Sequence, residues 1–227
     1  MPGTGSTWRY FLNDIRQSVT LTVIVVCTSV YLLFSFLDLA GIMSQAQALS
    51  WFGLSYRGFA QRLLFYQLFT APFVHVGLWH LVFNMLSLYW LGQMVEARLG
   101  KRRYIELSAL CAMASMLAFL VCSWRGFAVG CGYSGVVFGI LTAAAIFEPD
   151  DIVRFYGILP LKMKHAVLVL GGIELMMMLN AGVGQGGAHW AHLAGVVVAW
   201  WYLRWGGWER MSAAAASWPA GRGRFGR

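Results

Sequence analysis

From Gln17 to Leu37 the chain carries no charged residue, and the pattern recurs along its length: small groups of charges separated by long apolar runs. A helix needs about 20 apolar residues to cross the hydrocarbon core of a bilayer, where every backbone N–H and C=O must be paired within the protein. Measured against that length, the runs predict six spans, roughly 18–38, 79–97, 104–123, 128–147, 165–182 and 187–205. Composition agrees, with 59% apolar residues, 11% charged residues and a mean hydropathy of +0.63 over 227 residues. Such a chain is not a soluble globule. The expected fold is an all-α membrane protein, a bundle of six transmembrane helices.

The net charge of +8 raises nucleic acid as a partner, but the placement of the charges favours a different cause. With a cytoplasmic N-terminus, the inner segments hold Arg9, Arg16, Arg98, Lys101, Arg102, Arg103, Arg154, Lys162, Lys164, Arg204, Arg210, Arg222, Arg224 and Arg227, and the outer loops hold Arg57, Arg62 and Arg125. Fourteen against three accounts for all 17 basic residues and follows the rule that cytoplasmic loops carry Lys and Arg. The expected partner is therefore the lipid bilayer and not nucleic acid. The expected location is a bacterial inner (plasma) membrane, with both termini cytoplasmic.

Three regions follow: a cytoplasmic N-terminal segment, 1–17; a membrane domain, 18–205; and a basic cytoplasmic tail, 206–227, predicted to be disordered or held against anionic lipid. The stretch after Arg16 lacks an Ala-x-Ala-like cleavage site and reads as a retained span. The long first outer loop, about 40–78, is rich in aromatic residues and is expected to lie in the membrane interface. The last outer loop, with Gly182, Gly184, Gly186 and Gly187, reads as a mobile flap or a tight turn. Residues 148–164 read as an ordinary cytoplasmic connection. Cys27, Cys111, Cys122 and Cys131 have no CxxC spacing and suggest neither a disulfide framework nor a zinc cluster.

In this topology the second, fourth and sixth spans all start at the outer surface, so polar residues early in each share one depth. The second offers His80 and Asn84 on one face, preceded by His75; the fourth offers Ser134; the sixth offers His189 and His192. Polar groups at that depth are costly in lipid and point to function. Ser134 lies between Gly132 and Gly135 at a helix start, where unpaired N–H groups favour developing negative charge. Small residues Ala191, Gly195 and Ala199 on the sixth span can meet Gly135 and Gly139 on the fourth and bring His192 to Ser134. That set suits acyl transfer, with Ser134 as nucleophile, His192 as base, and His80, Asn84 and the Ser134 N–H as oxyanion donors. With no Asp or Glu near the outer ends of those three spans, a dyad is expected and not a triad. The plainer alternative is that these glycines and polar residues only pack helices together.

His75, His80 and Asn84, then Gly132-Tyr133-Ser134-Gly135 with Gly139, then Ala191-His192 with Gly195, in that order, resemble the motifs of the rhomboid family of intramembrane serine proteases. Glu96-Ala97-Arg98-Leu99-Gly100 is also similar to a stretch of that family, and the resemblance covers roughly 60–205. It implies a six-helix bundle with a water-filled cavity open to the outside, cleaving transmembrane helices of single-pass membrane proteins without a cofactor or metal. It implies Ser134 and His192 as the catalytic pair, His80 and Asn84 as oxyanion partners, and His75 as a histidine of less direct role. Gly132, Tyr133, Gly135, Phe138, His189 and Gly195 are the supporting residues.

Two positions depart from the pattern. Phe138 stands where some members have a Tyr that supports the base, so it can stack but not hydrogen-bond; Tyr66-Gln67 stands where some have Trp-Arg, which puts the anchoring of the first loop in question. Glu174, alone in the fifth span, would cost about 2.5–3.5 kcal/mol if charged at the bilayer centre. It is expected to be protonated, paired or facing the cavity, in a structural role or as part of a gate. Two rival functions stay open: a membrane metal-binding or transport protein using His75, His80, His189 and His192, and a rhomboid-like protein that binds transmembrane helices without cutting them.

Overall fold

The computed structural model describes residues 18–124, 126–155, 159–181 and 186–205; the N-terminal segment, the basic tail and most of the last outer loop lie outside them. Besides a short π-helical turn at Arg57–Gln61, eight helices form among the described residues: α1 (Val19–Leu39), α2 (Gln45–Phe52), α3 (Gln67–Phe73), α4 (Leu78–Leu99), α5 (Lys101–Cys122), α6 (Ser134–Phe147), α7 (Met163–Asn180) and α8 (Gly187–Trp205). Of these, α1, α5 and α7 are long and apolar enough to cross a membrane, and α3 with α4 forms a further candidate bent by 87°. Large apolar side chains such as Leu33, Phe36, Leu168, Leu179, Trp200 and Trp201 are exposed along the outside of the bundle, as expected where the solvent is lipid.

The fourth predicted span is shortened. Its helix α6 starts only at Ser134, because the glycine-rich approach forms strand β2 (Val129–Gly130) and a turn at Gly132, where φ is +100°. Fourteen residues reach about 21 Å, well short of the 22-residue α5.

Helices α5, α6 and α8 pack together at the centre, and glycine makes their closest approach possible. A Cβ on Gly195 would lie 2.0 Å from the Gly135 carbonyl oxygen, and one on Gly139 would lie 2.5 Å from Cys111 Sγ. Ala191 and Ala199 are buried on the same side of α8, so the expected ladder of small residues is present. Gly92 plays the same part where α1, α4 and α5 meet: a Cβ there would touch Thr20 and the Tyr104 hydroxyl at 2.8 Å.

Glu96 joins the two ends of this layer. Its carboxylate accepts from the backbone N–H groups of Val19 at 2.8 Å and Thr20 at 2.9 Å, and from the Ser18 hydroxyl at 2.9 Å. It therefore caps the start of α1 from the far end of α4, where unpaired N–H groups favour negative charge. Arg98, two residues on, forms an ion pair with Glu148 at the end of α6.

The first outer loop is a folded unit. Strand β1 (Leu54–Ser55) pairs antiparallel with β2, Leu54 opposite Gly130. Gln67 is fully buried and donates to the carbonyls of Ser50 at 3.1 Å and Trp51 at 3.0 Å, while the Thr70 hydroxyl donates to the Phe52 carbonyl at 2.8 Å. The doubt over anchoring is thus answered by Gln67: an amide supplies the loop's internal bonds at the departing position. Between α6 and α7, the connection is a hairpin of β3 (Ile152–Phe155) and β4 (Leu159–Lys162), closed by Asp150 accepting from Lys162 at 3.0 Å and Lys164 at 2.8 Å. These two small two-stranded sheets sit within a structure that is otherwise mostly helical, in keeping with the all-α expectation.

Candidate functional site

Ser134 is the first residue of α6. The first intrahelical bond runs from Val137 N–H to the Tyr133 carbonyl, which leaves the N–H groups of Ser134, Gly135 and Val136 without an acceptor inside the helix. The turn that presents Ser134 is fixed from two sides. Gly132 N–H donates to the Ala71 carbonyl at 3.0 Å, and the Tyr133 N–H points to His75 Nε2 at 3.5 Å. Gly132 is required twice over, since its φ is +100° and a Cβ would lie 2.6 Å from His80 Cε1.

His192 Nε2 is 2.8 Å from Ser134 Oγ. The imidazole stacks on Phe138, with centroids 4.6 Å apart and planes 10° from parallel. Phe138 is one turn along from Ser134, so one face of α6 presents the hydroxyl and holds the ring that meets it. Close passage of α8 over Gly135 and Gly139 brings the two groups within reach.

His75 and His80 lie beside this turn with rings 5.2 Å apart. Asn84 is buried, and its amide donates to the His80 carbonyl at 2.9 Å; the amide has a second N–H. The structure thus gathers Ser134, His192, Phe138, Gly135 and Gly195 in direct contact, sets His75 and His80 against the residues just before Ser134, and ties Asn84 to the backbone of His80. A cleft of about 250 Å³ between α1, α2 and Val74 to Val76 includes His75 in its lining and not Ser134.

Glu174 was not expected at this place. Its Oε2 is 2.6 Å from His189 Nδ1, and its Oε1 is 2.9 Å from His192 Nδ1. The reading of α4, α6 and α8 alone omitted α7, which ends at Asn180 and brings Glu174 to the level of both histidines. Spans two, four and six carry no carboxylate in their early turns, as read from the sequence; the one beside the base comes from α7. Glu174 is also paired, as one of its expected alternatives required. The metal-ligand set weighed for the rival function changes as well: among the described residues, the three groups whose donor atoms lie within 4.8 Å of one another are Glu174, His189 and His192, without His75 or His80.

Residues 62–208 match the family model of the rhomboid domain. The chain belongs to the rhomboid family. This rhomboid is 26% identical over 194 residues to a protein named rhomboid protease GlpG from Pectobacterium atrosepticum, a match covering 83% of this chain and 63% of that protein. It is 28% identical over 134 residues to proteins of the same name from Yersinia pestis and Yersinia pseudotuberculosis, covering 58% of this chain and 45% of each. The chain spans less than two thirds of the length of these curated relatives. The family and the apolar helices together make this rhomboid an integral membrane protein.

Proposed function

We propose that this rhomboid is an intramembrane serine endopeptidase that cleaves transmembrane segments of single-pass membrane proteins, with Ser134 as nucleophile and His192 as base. The observation that carries the reading is the 2.8 Å contact between Ser134 Oγ and His192 Nε2 at the start of a helix. The named relatives point the same way: each is called a rhomboid protease. In the reaction, Ser134 Oγ attacks the scissile carbonyl carbon while its proton passes to His192 Nε2. The same proton then goes to the leaving amine nitrogen, and water repeats the sequence on the acyl-enzyme. Base catalysis of this kind is worth about 10²- to 10⁴-fold. His80, the free N–H of Asn84 and the Ser134 N–H are the proposed oxyanion donors, each typically worth about 2.7–4 kcal/mol. The proposed architecture is a six-span bundle with both termini cytoplasmic in a bacterial inner membrane, and a water-filled site opening outward.

The test is labelling of the detergent-solubilised protein with a fluorophosphonate, beside Ser134→Ala and His192→Ala, with and without EDTA. The expected result is labelling that persists in EDTA and is lost in Ser134→Ala. A second reading is favoured by the grouping of Glu174, His189 and His192, a donor set that imidazole-preferring metals can use. Stoichiometric metal in the purified protein, with no labelling of Ser134, would move the function to metal binding or transport. A folded sample with neither label nor metal would favour helix binding without cleavage.

A further inference from the structure

We propose that Glu174 is a positioning residue for His192, so that Ser134, His192 and Glu174 act as a set in which the carboxylate holds Nδ1–H and leaves Nε2 free to take the serine proton. The inference rests on the protease reading.

The imidazole of His192 has two nitrogens with different tasks. Nε2 faces Ser134 Oγ, so it must be the unprotonated nitrogen when attack begins, and in the neutral ring the hydrogen then sits on Nδ1. Nδ1 is buried and, among the described residues, has no well-directed hydrogen-bond partner; the carboxylate Oε1 of Glu174, 2.9 Å away, is close in distance and off-line in angle. Buried polar atoms in folded proteins are almost always paired, and catalytic hydrogen bonds are often poorly aligned until substrate is bound. Phe138 covers one face of the ring and has no hydroxyl to offer its edge, so polar orientation must come from another element. Helix α7 supplies it.

Glu174 is itself held. Its other oxygen is 2.6 Å from His189 Nδ1, one turn before His192 on α8, and its side chain is only 13% exposed. His189 thus anchors the carboxylate against the helix that carries the base. During attack the Ser134 Oγ–H bond breaks, its proton moves to Nε2 and the Oγ–carbon bond forms. The Nδ1 proton stays on the ring, and the imidazolium lies against the Glu174 carboxylate. When the carbon–nitrogen bond breaks, the Nε2 proton leaves with the amine. Glu174 gains and loses no proton.

The experiment measures second-order fluorophosphonate labelling rates, in which Ser134 Oγ bonds to phosphorus and fluoride leaves, for the wild type, Glu174→Gln, His192→Ala and the double variant, with a thermal melt of each. A glutamine can donate to Nδ1 and favour the tautomer whose Nε2 already carries hydrogen. Glu174→Gln is expected to slow labelling on the order of 10²- to 10⁴-fold, and to change the residual rate less than about twofold once His192 is alanine. A ¹⁵N-histidine spectrum of the wild-type protein, with His192 assigned by its loss in His192→Ala, is expected to place the hydrogen on Nδ1. Glu174→Gln labelling as fast as the wild type, a loss that persists undiminished in the His192→Ala background, or a wild-type His192 with no hydrogen on Nδ1 would each overturn the proposal. So would faster wild-type labelling in EDTA that Glu174→Gln abolishes, since that would mark Glu174 as a metal ligand. Failure of the protease reading looks different: the wild type itself is then not labelled.

Discussion

At the residue scale, glycine does work at the site that no larger residue can do. Gly195→Ala would drive a methyl group to 2.0 Å from the Gly135 carbonyl oxygen, and backbone cannot swing aside as a side chain can. Overpacking of this kind costs about 1–3 kcal/mol, and here the strain separates α8 from α6. The expected result is a lowered melting temperature with labelling of Ser134 slowed at least tenfold, although no reacting atom has changed. Gly132→Ala is expected to slow labelling as severely through His80, whereas Gly100→Ala, at φ +75° and ψ 158° with nothing within 4 Å, should cost about 1–3 kcal/mol of stability and retain labelling. These glycines were legible as small residues beside a serine. Glu174 was not legible as a neighbour of His192, although the helical rise contained the information. Counted inward from Asn180, about 1.5 Å per residue puts Glu174 near 9 Å from the end of α7, a depth comparable with that of His192 counted from Gly187. A residue near the end of α7 shares the level of residues near the start of α8 because the two helices run antiparallel, and a comparison of helix starts does not contain that match.

At the element scale, the segment between α1 and α4 is tied together by the Gln67 amide, beside the Thr70 hydroxyl and the β1–β2 pairing. Gln67→Leu would remove the donors that reach the Ser50 and Trp51 carbonyls, at about 0.5–1.5 kcal/mol for each hydrogen bond lost. The expected outcome is faster tryptic cleavage at Arg57 and Arg62 than in the wild type, followed by electrophoresis of the detergent-solubilised protein; equal rates would mean that the Thr70 hydroxyl and β1 pairing hold the loop without it. The β3–β4 hairpin makes a separate prediction about pH. Lys164 and Lys162 hold the Asp150 carboxyl at about 2, below its ordinary 3.8. A depressed carboxyl contributes stability that is present above the unfolded value and lost as pH falls through the folded one. The melting difference between Asp150→Asn and the wild type should therefore be the same from pH 5 to 8 and shrink only below about pH 4. Its size should be small, because the carboxylate is exposed and screened. Neither feature could be read from periodicity: a buried glutamine and a four-residue strand leave no repeating pattern, and the apolar residues of the hairpin look like the flank of the next helix.

At the scale of the whole molecule, the pattern of apolar runs and basic residues was enough to place every long helix within a few residues, because both follow from the cost of burying charge and unpaired backbone in lipid. The weak point is α6. Its 14 residues reach about 21 Å against a hydrocarbon core of about 30 Å, and the sequence hid this because the residues leading into it are equally apolar. The proposed topology needs α6 to cross all the same, with α4 and α5 before it. Three crossings would then separate the exposed residues Gln45 and Asp151 and put them on opposite faces of the membrane. This can be measured with a membrane-impermeant maleimide on intact cells, using Gln45→Cys and Asp151→Cys in a background where the partly exposed Cys122 and Cys131 are alanine. Cys27 and Cys111 are fully buried and should stay silent. Labelling at position 45 from outside, and at 151 only after permeabilisation, is the expected pattern. The reverse pattern would invert the orientation and put the site on the cytoplasmic face. Labelling of both positions from one side would mean an even number of crossings between them. The short helix that carries Ser134 would then enter the membrane without leaving it on the far side.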